Sequence, residues 1–184
     1  NWENIRQARM VGLETFYGNP VSDHADIRLD LSGIGNLLAL SHQRYVNVIA
    51  AIHYSADFGD RRIFRLASSI DSNKTEKHTV SDRHQGARLF SNDITYGQMV
   101  SAISSGESIK STTLSDEFDW PTYIEKYGES RLPLFEISKK GLVQPFLADV
   151  SRVPQSGSTV LALTRPVADE DEAMAEGSEA VGIS

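Results

Sequence analysis

Cysteine is absent from this 184-residue chain. That excludes disulfides and thiolate metal sites, and it fits a reducing compartment. Long apolar runs are missing too. Nothing approaches the roughly 20 residues that cross a bilayer, and the opening NWENIRQARM lacks the layout of a signal peptide. The chain is therefore expected to be soluble. No basic face or stripe stands out, although nucleic-acid binders normally carry one, so a nucleic-acid partner is not expected. The net charge is −7, and it is unevenly spread. After Arg165 the tail PVADEDEAMAEGSEAVGIS holds six acids and no base, leaving 19 acids against 18 bases elsewhere. A tail of this composition buries too little apolar surface to fold, so 166–184 reads as a solvated, disordered end.

Familiar catalytic signatures are also lacking. There is no Walker loop, no HExxH and no GxSxG. The GIG at 33–35 fails as a dinucleotide loop, because a third glycine would fall at Leu38. Such a motif must also follow a strand and open a helix, whereas here a strand follows the glycines. A tight helix-to-strand turn accounts for them.

The pattern of elements is more informative. NWENIRQARMVG reads as a helix capped by Asn1, with Trp2, Ile5 and Ala8 near one face and Gly12 at its end. Leu13–Tyr17 read as a short strand stopped by Gly18. Asn19 as N-cap and Pro20 as first helical residue predict a helix from there, with Asp23 in its first turn. LSGIGN breaks that helix, and LLALS is a short apolar strand of the kind buried in parallel sheets. RYVNVIAAIHYSADFG follows as one helix, with Val46, Ile49, Ala50 and His53 at helical spacing and Gly59 as its stop. RIFRLA, 62–67, is the next strand. This alternation implies a parallel sheet with right-handed crossovers.

A polar stretch at 68–86 reads as a linker or mobile loop. Beyond it, 87–165 looks α+β with a mainly antiparallel sheet. Its elements are an ARLF strand, a TYGQMVSAISSG helix, a SIKSTTL strand and a DWPTYIEKYG helix. A hairpin of RLPLFEIS and LVQPFLA turns at Gly141, and SGSTVLALT forms the last strand.

Several side chains invite a functional reading. Asp23, Asp26 and Asp30 share a helical face beside His24, but no second histidine lies at ligand spacing, and three acids on one face read as solvated. His78 and His84 fall in the polar linker, with little to suggest a metal. His53 on the apolar stripe reads as a hydrogen-bonded core histidine. Ser41 and His42 directly follow the LLALS strand, and carboxyl ends of parallel strands are where such sheets bind ligands. Asn47, one step from the buried stripe, needs a partner for its amide, either the neighbouring turn or a ligand.

With these residues in hand, the stretch from NWENIRQARMVG through RYVNVIAAIHYSADFG resembles the regulator-of-conductance (RCK, TrkA-N-like) Rossmann domain. The form it resembles is the cytoplasmic C-terminal region of bacterial monovalent cation:proton antiporters. The resemblance rests on Ala8 to Leu13, Gly18-Asn19, the Gly33–Gly35 turn, the LLALS strand and Asn47 heading a helix. The block from GARLF through LPLFEISKKG to PQSGSTVLALT resembles the accessory domain that follows in those antiporters, with a likeness to the TrkA-C type module.

The resemblance implies an α/β fold with a partial Rossmann-like parallel sheet over 1–67, followed by a smaller α+β domain. By it, residue 1 lies just after the second strand of the unit, so the first strand, its glycine-rich phosphate loop and the ribose-binding acid would lie upstream. Pyrophosphate binding needs that loop. What remains would touch only the adenine side of a nucleotide, through Gly18, Asn19, Ser41 and His42, with Asn47 beside them. The resemblance leaves the cofactor open: an adenine nucleotide or NAD would be the candidate in the intact protein, bound weakly or not at all by these residues alone. The implied partners are the transmembrane antiporter part of the same polypeptide and a second copy in a homodimer at the cytoplasmic face of the inner membrane. The implied role is regulatory and not enzymatic. Two rivals are a fragment of a soluble nucleotide-dependent enzyme and an assembly module that binds no small molecule.

Overall fold

In the computed structural model, which describes residues 2–67, 86–128 and 130–164, the chain divides into two compact units. One runs to Tyr96 and takes in Leu147–Asp149. The other runs from Gly97 to Phe146 and resumes at Val150. The fold is mixed α/β, with a three-stranded parallel sheet and a separate four-stranded antiparallel sheet. The Asn1 cap, most of the 68–86 linker with His78 and His84, and the acidic tail lie outside the described residues.

The first unit opens with α1 (Trp2–Met10). Gly12 ends it at φ +82°, where glycine alone is unstrained. The amides of Gly12 and Leu13 reach back to the carbonyls of Arg9 and Ala8, both at 3.0 Å, which closes the helix end as a Schellman turn. No residue of α1 is buried. Residues 13–17 are not a strand. Leu13 and Tyr17 are both 60% exposed, and without a paired neighbour the β propensity of this stretch is not realised. Tyr17 instead meets the Trp2 ring edge-on at 5.6 Å.

Helix α2 (Asp23–Arg28) starts later than its Asn-Pro signal suggests. Ser22 is the cap, accepting from the Ala25 amide. Asn19 builds the turn ahead of it: its Oδ1 accepts from Val21 N at 3.2 Å, and its carbonyl accepts from the Ser22 hydroxyl at 2.8 Å. Pro20 thus sits in that turn.

Strand β1 (Leu37–Ala39), helix α3 (Arg44–His53), the short helix α4 (Ser55–Phe58) and strand β2 (Ile63–Arg65) follow. The expected single helix is therefore two, broken at Tyr54, and Gly59 ends the second at φ +73°. On α3 the buried stripe is Asn47, Ala50, Ala51 and, just past its end, Tyr54. Ile49 is 46% exposed and His53 is exposed as well, so of the expected Val46, Ile49, Ala50 and His53 only Ala50 belongs to the buried stripe. Small alanines let the helix backbone approach the sheet, which a larger aliphatic residue there would prevent.

Strand β2 is central, paired in parallel with β1 on one side and with β3 (Ala87–Arg88) on the other. All its residues are buried, as for strands covered on both faces. Gly86 leads into β3 at φ +79°, and a Cβ there would lie 2.8 Å from the Ile63 carbonyl oxygen. Only glycine passes that close. ARLF thus belongs to the parallel sheet, not to the antiparallel block in which the sequence pattern placed it. Beyond β3, Ala148 N donates to Arg88 O at 2.9 Å, and Arg88 Nη2 meets the two carboxylate oxygens of Asp149 at 2.7 and 2.8 Å.

In the second unit, β4 (Ser108–Thr113), β5 (Arg131–Ile137), β6 (Val143–Pro145) and β7 (Thr159–Thr164) form an antiparallel sheet in the order β4-β7-β5-β6. The β5–β6 hairpin turns through Gly141 at φ +77°. Register shifts between Pro133 and Phe135, a bulge where a residue without an N–H interrupts the ladder. Helix α5 (Tyr96–Ser104), which starts on the last residue of the first unit's opening segment and otherwise belongs to the second, and α6 (Trp120–Tyr127) complete the set. Asp119 caps α6, accepting from Thr122 N at 3.0 Å, with Pro121 in the first turn. The core is Leu114, Tyr123, Phe146 and Val160, with Phe118, Trp120 and Tyr127 packed on it. Trp120 stacks on both Tyr123 and Phe146, at 5.2 and 5.4 Å. Inside the sheet Glu136 is 4% exposed. Its Oε1 accepts from Ser158 Oγ at 2.8 Å, and Arg152 Nε forms an ion pair with its Oε2 at 2.9 Å.

Candidate functional site

Strand β1 ends at Ala39, and Leu40–Gln43 carry the chain into α3. This is the carboxyl end of a parallel strand, the edge at which α/β sheets present ligand-facing loops. Gln43 occupies the helix cap position but makes no side-chain cap. Ser41 instead builds the turn ahead of the helix, its Oγ accepting from Gln43 N at 3.1 Å. Asn47, on the next turn of α3, reaches back across the loop. Its Oδ1 accepts from Ser41 N at 2.9 Å and its Nδ2 donates to Ser41 O at 2.8 Å. Both polar functions of the amide are therefore engaged, and at 8% exposure its remaining N–H and lone pair are shielded. Asn47 is a loop-locking residue.

The lock leaves His42 outside. Its ring is exposed and lies 5.9 Å from the ring of Tyr96, tilted by 47°. Tyr96 is 42% exposed. The two rings form an aromatic surface with an imidazole nitrogen and a phenol at its edge, chemistry that can stack a planar ligand and donate a hydrogen bond to it.

Gly18 and Asn19 belong to a second cluster. A Cβ on Gly18 would sit 2.9 Å from the Phe16 ring, and Asn19 is committed to the turn described above. That turn is fastened by Tyr54, whose hydroxyl donates to Pro20 O at 2.5 Å. His53 Nε2 also lies 2.8 Å from Asp26 Oδ1, so His53 is a surface partner of α2 and not a core histidine. Burial raises the Tyr54 phenol above its ordinary pKa, and Asp26 and Asp57 add to the rise.

Helix α3 thus holds both clusters, one near each end. The anchoring residues Asn47 and Tyr54 stand seven positions apart, about 10 Å of helix rise. No hydrogen bond or ring contact among the described residues joins Gly18–Asn19 to Ser41–His42. Two turns about 10 Å apart along one helix do not make a single-atom binding point.

The acidic trio separates. Asp23 and Asp26 lie on α2, but Asp30 lies beyond its end and holds a turn by accepting from Ser32 N at 2.9 Å. The Ser32 side chain, with that N–H adding to it, keeps the Asp30 carboxyl below its ordinary pKa. Among the described residues no group of three or more His, Cys, Asp or Glu side chains is arranged to hold a metal.

Sequence reasoning missed Tyr54 and Tyr96. Tyr54 was legible: Asn47, Ala50, Ala51 and Tyr54 follow the i, i+3, i+4, i+7 spacing of a buried stripe. Tyr96 carries no local signal, since its place beside His42 comes from the parallel bridge of Ala67 with Thr95. Among the described residues no helix is long and apolar enough to cross a membrane. No model of a known protein family matches this chain, and no curated protein matches it either.

Proposed function

We propose that this chain is a cytosolic regulatory region of a membrane monovalent cation:proton antiporter, acting by dimerisation and ligand-controlled gating and not by catalysis. The observation that carries the reading is the ordered series of Ala8–Leu13, Gly18-Asn19, the Gly33–Gly35 turn, the LLALS strand and Asn47. Of these, the LLALS strand pairs in the parallel sheet, and Asn47 on α3 bonds both backbone groups of Ser41 in the loop at its carboxyl end. The region works at the cytoplasmic face of the membrane beside the transporter, and the transported ion never passes through these residues. A ligand that favours one arrangement of the dimer shifts the transporter between states, by no more than its differential affinity for the two. An adenine nucleotide or NAD is the ligand class that suits an exposed His42–Tyr96 surface.

The test is cation-driven collapse of a proton gradient in everted vesicles carrying the full product of the native gene. Deleting residues 1–184 from that product should leave exchange present but insensitive to added nucleotide. Exchange that keeps its nucleotide response without them, or a gene product with no exchange activity at all, contradicts the reading.

One observation favours a second reading. The Asn47 amide is consumed by Ser41, as suits a loop that is purely structural. On that reading the region assembles subunits and takes no small molecule. A dimer whose melting temperature is the same with and without adenine nucleotides would favour it.

A further inference from the structure

Strand β4 is the longer of the two outer strands of the antiparallel sheet, and its burial is unusual. Five of its six residues are exposed, on both faces, Ile109 at 59%. Nothing among the described residues pairs with its outer edge.

Hydrogen bonding around β4 fixes which backbone groups that edge offers. Leu114 N donates to Ser158 O, and Gly157 N donates to Leu114 O, both at 2.8 Å. The Ser108 carbonyl accepts from Thr164 Oγ1 at 3.2 Å. Even-numbered residues therefore turn their N–H and C=O toward β7. The hydroxyls of Thr113 and Thr159 meet at 3.0 Å, as side chains do across a pair that does not exchange backbone bonds. By alternation Ile109, Ser111 and Thr113 aim their backbone groups outward.

We propose that this edge pairs with β4 of a second copy of the chain, antiparallel, about a two-fold axis at Ser111. In that register Ser111 faces Ser111 of the second copy and Ile109 faces its Thr113. These outward-turned pairs each exchange both backbone bonds. Lys110 is the one charge on the strand, and a lysine normally guards an edge against pairing. Here it faces Thr112 of the second copy, so no like charges stand directly opposite. A strand paired with itself in this way makes a closed, isologous contact.

The other edge explains why assembly stops at two. β6 is three residues long and ends in Pro145, a blunted edge that offers no comparable ladder. The β4 contact gives the dimer of the proposed regulatory role a surface, but it does not depend on a transporter.

The absence of cysteine makes the test direct. Ser111→Cys introduces a sole thiol, and across the two-fold axis the two Cα atoms lie about 5.5 Å apart, within the roughly 4.4–6.8 Å that a disulfide spans. Under mild oxidation the 184-residue chain carrying Ser111→Cys should form a reducible dimer much faster than one carrying Ser101→Cys, an exposed position on α5. Sedimentation of the unmodified chain should show a concentration-dependent dimer. Ser111→Pro deletes an outward N–H that the folded monomer does not use and should weaken that dimer by about tenfold or more. Should Ser111→Pro lose its native circular dichroism, Ser111→Lys takes its place and should weaken the dimer likewise. A chain monomeric at high micromolar concentration overturns both this inference and the proposed dimer. A dimer unaffected by Ser111→Pro or Ser111→Lys, or a Ser111→Cys chain that crosslinks no faster than Ser101→Cys, overturns the β4 surface alone.

Discussion

Asn47 and Ser41 are joined by two hydrogen bonds running in opposite directions, amide oxygen to backbone N–H at 2.9 Å and amide nitrogen to backbone carbonyl at 2.8 Å. A single side chain thereby satisfies both backbone groups of a loop residue that no strand partner serves. This fixes the path from β1 into α3 and decides which side chain is left facing outward, namely His42.

Removing that clamp should be costly. Asn47→Ala leaves the Ser41 N–H and C=O without partners in a half-buried loop, a loss of about 1–3 kcal/mol. Asn47→Asp keeps the acceptor but sets a carboxylate against the Ser41 carbonyl, so it should be no better tolerated. Urea unfolding of the two variants measures the effect. Faster amide exchange confined to the 40–43 loop would place the loss at the clamp.

Tyr123 separates the contribution of the ring from that of the hydroxyl. The residue is fully buried, and its hydroxyl has no hydrogen bond of good geometry among the described residues, the nearby Arg131 guanidinium giving it a weak polar contact at most. Burial pushes the phenol pKa up, and the Arg131 guanidinium opposes the rise. Tyr123→Phe should therefore be neutral or stabilising, within about 1 kcal/mol. Tyr123→Ala empties the stack against Trp120 and should cost about 3–5 kcal/mol. Denaturant midpoints of the two variants at equal slope give the answer.

Glu136 is the buried acid of the second unit. Glu136→Ala leaves the Ser158 hydroxyl unpaired and removes the ion pair of Arg152, which keeps its hydrogen bond to Gln144. Because Arg152 is also partly exposed, the cost should be about 2 kcal/mol. Removing both charges with Glu136→Leu and Arg152→Met should recover much of that loss. A double-mutant cycle in thermal unfolding checks it.

Acid should act through the cap of α6. The Thr122 amide and hydroxyl hold the Asp119 carboxyl below its usual value of 3.8. A carboxyl lowered in the folded state stabilises fully above its unfolded pKa and loses that contribution as pH falls through the folded one. Melting temperatures followed downward from pH 5 should thus fall less steeply for Asp119→Asn than for the unsubstituted chain. Parallel curves would remove Asp119 from the acid response.

The layered plan was legible because it rests on local signals. Gly141 marks the β5–β6 turn, Asp119 with Pro121 starts α6, and the short apolar LLALS reads as a parallel strand. Misreadings came where burial is set by distant residues. Residues 13–17 have the composition of a strand, yet a strand needs a neighbour, and none among the described residues is paired with them. On α3, helical spacing picked out Ala50 but also Ile49 and His53, whereas close approach to the sheet favours Ala50 with Ala51. ARLF sits beyond a polar stretch that looks like a boundary, and only Gly86 passing over the Ile63 carbonyl shows that the first sheet continues. Within the candidate site, Asn47 and Ser41 lie six residues apart and could be paired by inspection. Tyr96 lies far along the chain from His42, and no spacing rule connects them.

The antiporter reading is tested most directly on the native gene product, by its mass and its partition between membrane and soluble fractions. The expected product is a polypeptide much larger than the 20.3 kDa of this chain, sedimenting with membranes until detergent releases it. A product of about this size, found wholly in the soluble fraction, would contradict that reading and leave the enzyme and assembly-module readings in its place.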